Sequence, residues 1–434
     1  HRILGRQDHT GVGNPPYITV KDRAGSELYR ARFPSCGGKY SLSVPFMERF
    51  FDLAVKGDGT PQQPAGFVGQ ITANSFMKRE FGKKVIEEYL TRWDITHVLD
   101  TAGAYIPGHG TPTVILFGKN QPPVSGTIRT VLGIRGEPGT PGDPAQGLVW
   151  QAILRQIDQP GSVSEWMSAA DSPRANFHRH PWSIGGGGSA ELKEEIDQAC
   201  SKYLGQLVSS IGFLAITGED EAFVQSDATT ARFELPSRPY CTGDTVRDWR
   251  IDTAERIIFP YSEASSEWTA LKPTESPKIV RFLWRFRCRL KRRNMFGKTI
   301  AEHGFGWFEY IQFIRDRIRA HSLITFACVA THNHFVFEQG GRVFNRHAPI
   351  IKLKPDFLED DHVRLVGVLD SSAACFWLKQ VAHNKGSTVD QKGARQRTDA
   401  FEDFYEFGAA QLVGFPLPAR QPSQFPTTLV KTST

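Results

Sequence analysis

Two adjacent prolines constrain the start of this chain more than any other feature. They lie in Gly-Val-Gly-Asn-Pro-Pro-Tyr-Ile, residues 11–18. Each proline locks its φ and removes a backbone donor, so Pro15 and Pro16 exclude a helix interior and a central strand. The segment is a stiff loop that holds the side chains of Asn14 and Tyr17 in set directions. The same four residues also read as a plain turn. Context separates the two readings: an apolar strand should lead in and α/β alternation should follow. The lead-in, His-Thr-Gly-Val-Gly, is only weakly apolar.

The alternation is present. Phe46, Phe50, Phe51, Leu53 and Ala54 recur at helical spacing within 40–57, and Gly57 and Gly59 mark the stop. Residues 65–76 read as a buried strand, 78–90 as an amphipathic helix, and 95–101 and 111–119 as strands. This order predicts an α/β layer with a largely parallel sheet. The stretch Ala-Gly-Ala-Tyr-Ile-Pro-Gly-His-Gly between the last two strands is too short for a helical crossover, so they should pair antiparallel. Residues 118–147, rich in Gly and Pro, read as an irregular connector. After about 150, helical segments (191–210), a basic segment (278–298) and short strands (323–337) mix without alternation, as in an α+β domain. The expected division is 1–150, 151–415 and a flexible tail, 416–434, rich in Pro, Ser and Thr.

The fixed loop suits one kind of chemistry. If a flat heteroaromatic ring with an exocyclic amine lies against Tyr17, the Asn14 side-chain oxygen accepts one amine hydrogen and the Pro15 carbonyl the other. Two acceptors pull the amine toward tetrahedral geometry and expose a lone pair otherwise delocalised into the ring. Held in line with an electrophilic methyl, that nitrogen needs no strong base. A base taken from duplex DNA would first have to be flipped out of the stack.

The stretch Gly-Asn-Pro-Pro-Tyr-Ile-Thr-Val-Lys-Asp (13–22) resembles the catalytic motif of adenine-N6 DNA methyltransferases. Segments 66–84, 104–120, 180–194, 331–353 and 365–379 are similar to the bacteriophage-exclusion (BREX) methyltransferases of PglX type. The resemblance runs over most of residues 13–415. It implies a Rossmann-like class I methyltransferase core, present here in part, followed by an α+β DNA target-recognition domain. It implies methylation of adenine in host double-stranded DNA with S-adenosylmethionine, in the cytoplasm, alongside other phage-defence proteins. Carried across, Asn14, Pro15, Pro16 and Tyr17 form the target-amine motif, with Asn14 also at the edge of the cofactor site. In such enzymes a glycine-rich cofactor turn precedes this loop, and thirteen residues cannot contain it. The chain therefore reads as cut from a longer protein, inactive alone. The run Gly185–Gly188 reads as a flexible lead into a helix rather than a substitute cofactor turn, because no apolar strand precedes it.

Elsewhere, Arg281, Arg285, Arg289 and Arg293 follow i, i+4 spacing, with Lys291 and Arg292 beside them. On one helix they would form a basic stripe suited to phosphates; the alternative is a solvated face over an apolar core. The net charge of +6 permits a nucleic-acid partner without demanding one. His332 and His334 would share one face of a strand, but zinc needs three or four ligands and no partners stand at suggestive spacing, so no metal is expected. His178 and His180 carry the same reading. Asp100 and Glu48 read as structural. Six cysteines without a Cys-x-x-Cys pair read as reduced thiols. No apolar run approaches the ~18 residues of a membrane span. Two competing readings remain: a catalytically silent DNA-binding module, and part of a fused restriction–modification enzyme.

Overall fold

The computed structural model describes residues 7–247, 249–264, 267–386 and 403–419. The chain divides into two compact units, one comprising His1–Gln198 and Lys379–Glu406, the other Ala199–Leu378 and Phe407–Thr434.

The first unit is built on a six-stranded sheet of β1 (Thr10–Gly13), β2 (Phe67–Ala73), β3 (Asp94–Asp100), β4 (Thr113–Lys119), β5 (Thr127–Gly133) and β6 (Met167–Pro173), in the order β1-β2-β4-β3-β5-β6. Apolar side chains alternate between its faces. After helix α1 (Arg23–Arg32), Val44, Met47 and Phe51 of helix α2 (Ser43–Leu53) pack with Val68, Val98, Val114, Leu116 and Ile128 and with Phe76, Phe81 and Ile86. On the other face Leu99, Val131, Met167 and Ala169 pack with Val149 and Ile153 of α3 (Leu148–Gln156). Burying both faces is what lets this sheet serve as a scaffold.

The sheet is mixed rather than largely parallel. β1 runs parallel to β2 and β3 to β5, whereas β4 is antiparallel to both its neighbours and β6 to β5. The short β3–β4 connection forces this reversal, and β3 and β4 pair antiparallel as their spacing predicts. The weakly apolar lead-in forms β1. Strand β5 crosses the stretch read as a connector. The first unit also reaches beyond 150, because α3 and β6 complete its sheet and second core. The amphipathic segment 78–90 is helical but irregular, passing through α, π and 3₁₀ turns between Gly82 and Arg92.

The segment returning at Lys379 is tied into this unit. The Lys78 ammonium donates to the Gln380 carbonyl, Ser183 Oγ donates to Gln380 Oε1 at 3.0 Å, and Arg79 pairs with Glu406 at 3.2 Å. Where β3 begins and β6 ends, Arg174 and Asp94 form a buried ion pair at 2.8 Å.

The second unit is α+β. Four antiparallel strands, Phe335–Glu338, Leu323–Phe326, Ile350–Leu353 and Val208–Gly212, form one sheet in that order. A second sheet joins Val224–Ser226, Glu255–Ile258, Ser237–Cys241 and Val343–Phe344. The helix expected over 191–210 is α4 (Ser189–Ala199), nearly all of it in the first unit, followed by short strands of the second. Part of the expected flexible tail is ordered structure: Pro416–Leu417 pairs with Lys202–Tyr203, and Leu417 is buried. The remainder, 420–434, lies outside the described residues.

Candidate active site

Parallel strands β1, β2, β3 and β5 bring their carboxyl ends to one edge of the sheet, the edge at which open α/β sheets place ligands. Gly13 ends β1 there. A Cβ at Gly13 would stand 2.3 Å from Cζ of Phe50, so a larger residue there would displace the α2 ring. The loop after it is held at both ends. β1 pairs with β2 on one side, and Leu42 N donates to the Ile18 carbonyl at 2.9 Å on the other.

Within the loop Pro15 is buried, while Asn14 and Pro16 are exposed. Tyr17 is half-buried, and its hydroxyl donates to Asn14 Oδ1 at 2.6 Å. Burial pushes the Tyr17 pKa up to about 12, so the phenol keeps its proton at neutral pH and stays a donor. A carbonyl oxygen has two lone pairs, so Asn14 Oδ1 retains one acceptor site.

His109, in the β3–β4 loop, was not singled out by the sequence. Its ring meets Tyr17 edge-on, with centroids 4.8 Å apart. Burial holds its pKa below the usual histidine value, so the ring is neutral, and Nε2 is buried without a hydrogen-bond partner among the described residues. Tyr17 and His109 lie far apart in sequence, and no local pattern signals their contact.

The glycine run Gly185–Gly188 is fastened to the sheet. Gly186 N donates to the Gly133 carbonyl at 3.0 Å, and Gly187 N to Ser168 Oγ at 3.1 Å. Two of the run's four amides are thus turned to the sheet rather than to a ligand. Glu48 accepts from Ser35 N at 3.2 Å and Asp100 from Ala102 N at 2.9 Å. Among the described residues no group of three His, Cys, Asp or Glu side chains could hold a metal ion.

The arginine stripe does not form as one helical row. The segment is α-helical over Pro277–Leu283, 3₁₀ over Trp284–Phe286 and α-helical again over Arg287–Lys291, so the i, i+4 register is broken at Trp284. Arg281 and Arg292 are exposed. Arg285 is exposed with its guanidinium over Phe282 and Phe286, 4.5 and 4.8 Å from their centroids. Arg289 is taken up by Glu219 (2.5 Å) and Glu221 (2.9 Å). Arg293 is buried, donating to the carbonyls of Thr217, Leu290 (2.9 Å), Trp307 (2.7 Å) and Glu309 (2.8 Å). Burial lowers its pKa to about 10. It is a structural anchor rather than a surface contact.

His332 and His334 precede the strand Phe335–Glu338 instead of sharing its face, with ring centroids 4.2 Å apart. No described helix is long and apolar enough to cross a membrane.

Residues 12–106, which carry the loop, match the Eco57I restriction-modification methylase family. The chain is 45% identical over 431 residues to the adenine-specific methyltransferase PglX of Streptomyces coelicolor, covering 97% of this chain and 35% of that protein. It is 21% identical over 336 residues to the type II methyltransferase M.XhoI of Xanthomonas vasicola, covering 76% of this chain and 57% of that one. The structure of the type IIL restriction-modification enzyme MmeI in complex with DNA shares the fold, with a TM-score of 0.54 and 11% identity over 96% of this chain and 47% of that one. The chain thus spans about a third of the length of PglX.

Proposed function

Since this chain is homologous to PglX along nearly its whole length, we propose that it supplies the amine-binding part of an adenine-N6 DNA methyltransferase together with a unit that engages the target duplex. One observation carries the reading: the Asn14–Tyr17 loop stands at the carboxyl edge of the sheet with Asn14 exposed and its carboxamide oxygen fixed by the Tyr17 hydroxyl.

In this reading a flipped adenine lies against Tyr17, whose ring is met on one side by His109. Asn14 Oδ1 uses its remaining lone pair to accept one N6 hydrogen, and the Pro15 carbonyl accepts the other. Because the Tyr17 phenol stays protonated, it orients the carboxamide and does not compete as a base. S-adenosylmethionine, when bound, supplies the electrophilic methyl group. This chain's own residues orient the amine and hold its hydrogens, and Asn14 would also touch the cofactor's edge. The chain spans about a third of PglX, and methyl transfer is assigned here to the full-length protein. The second unit, with exposed Arg281, Arg285 and Arg292, serves as the DNA-engaging part. The setting that follows from the PglX resemblance is methylation of host DNA in the cytoplasm, within phage defence and beside partner proteins of that system.

The test is incorporation of labelled methyl groups into duplex DNA by the full-length protein and by Asn14→Ala. Loss of one preorganised acceptor should lower the rate by about 10²–10³. Undiminished incorporation by the variant removes Asn14 from the reaction.

A further inference from the structure

Beyond the basic segment the chain turns in a tight hairpin, in which Asn294–Met295 pairs with Lys298–Thr299. Phe296 and Gly297 are the two residues of its turn, with φ of 50° and 84°. Two positive φ values mark a type I′ turn, whose first central position favours Asn, Asp or Gly because a Cβ is strained there. A phenylalanine in that position is an outlier. Its ring gains no packing in return, since Phe296 is 84% exposed.

The hairpin beneath it is firmly rooted. Arg293, at its base, is held by four carbonyls, and Ile300 N donates to the Arg293 carbonyl at 3.0 Å. His303 Nε2 meets the Met295 carbonyl at 2.8 Å, and Glu302 accepts from both Thr299 N and Thr299 Oγ1. Lys291, Arg292 and Lys298 are exposed, and residues 291–299 contain no acid; the neighbouring carboxylate, Glu302, is engaged by Thr299 at the foot of the hairpin.

A strained, solvent-facing aromatic on a rooted stem, with exposed Lys291, Arg292 and Lys298 nearby in the chain, suits insertion between stacked bases while the cations meet flanking phosphates. We propose that Phe296 is a wedge that enters the base stack of duplex DNA. The inference rests on the reading of the second unit as the DNA-engaging part, and it adds the residue and the mode of contact.

A wedge should favour a duplex whose stack already has a gap. The full-length protein is titrated by fluorescence anisotropy against two otherwise identical duplexes, one intact and one with a single abasic site, across a range of salt. The wild type should bind the abasic duplex about tenfold more tightly, in the range of one base–aromatic stack. Phe296→Asn removes the ring while supplying a residue the turn prefers, so its melting temperature should match or exceed that of the wild type. Its preference for the gap should fall to within about twofold. Phe296→Trp should keep the preference. An equal preference in Phe296→Asn and wild type, or no preference in the wild type with salt-sensitive binding intact, overturns the wedge alone. No salt-sensitive binding of either duplex by the wild type overturns the DNA reading and the wedge with it.

Discussion

Replacing Arg174 with methionine should destabilise the first unit far more than any surface substitution. The Arg174 and Asp94 side chains are 9% and 2% exposed, and their contact at 2.8 Å joins the start of β3 to the residues after β6. The arginine also donates through Nε to the Ser125 carbonyl at 2.6 Å, while Asp94 Oδ2 accepts from Gln121 at 3.0 Å. Arg174→Met therefore leaves Asp94 Oδ1 and the Ser125 carbonyl without a donor, and one buried carboxylate without a counter-charge. Breaking such a pair costs about 3–5 kcal/mol. For a unit of this size that corresponds to a fall in melting temperature of roughly 10 °C. Replacing both partners with apolar residues, Asp94→Leu with Arg174→Met, should restore most of the loss, because no charge is then stranded. The exposed pair Arg135–Glu165, at 66% and 58%, is the control, and Arg135→Ala should cost no more than about 0.5 kcal/mol. Thermal melts give the totals, and amide hydrogen exchange along β3 and β5 locates the effect. A cost below about 1 kcal/mol for Arg174→Met, or a double variant as unstable as the sum of its singles, would refute the reasoning.

Tyr17→Phe deletes the 2.6 Å bond to Asn14 but keeps the ring, so methylation by the full-length protein should fall about five- to tenfold with the fold's melting temperature unchanged. An unchanged rate would mean the hydroxyl does not orient the carboxamide. Burial pushes the Lys78 ammonium down to about 7 from 10.5, so the unfolded chain binds the extra proton across that window. Stability should consequently rise from about pH 7 toward pH 10, and denaturant titrations of Lys78→Met should show a flatter rise over the same range.

The sequence carried the fold where burial is apolar and continuous. β2, β3, β4 and α2 fill one core with Val68, Val98, Leu116 and Phe51, and each sits in a run whose period is visible. β1 was faint because Gly11 and Gly13 take the places where a larger side chain would signal a strand, and Gly13 must be small for Phe50's sake. β5 was hidden by the prolines and glycines on either side, although Ile128 and Val131 serve opposite cores. β6, Met-Ser-Ala-Ala-Asp-Ser-Pro, has almost no apolar signal and is positioned by its ladder with β5. In the candidate site, the stiff loop was legible because two prolines dictate it locally, whereas the Tyr17–Asn14 hydrogen bond was not. His109 was not, since only sheet pairing brings it to Tyr17. Arg293 misled for a related reason: charge spacing records neither the break at Trp284 nor the carbonyls waiting inside the second unit.

The excursion from Ala199 to Leu378 leaves and rejoins the first unit, which reclaims Lys379–Glu406 before the chain departs again. Exchanging the excursion for a homologous one therefore calls for junctions near 198, 378 and 406. A splice at a single junction would discard Gln380 and Glu406 along with the cargo, stripping the Lys78, Ser183 and Arg79 tethers. Recombination that exchanges the excursion should favour breakpoints that spare this short returning strap.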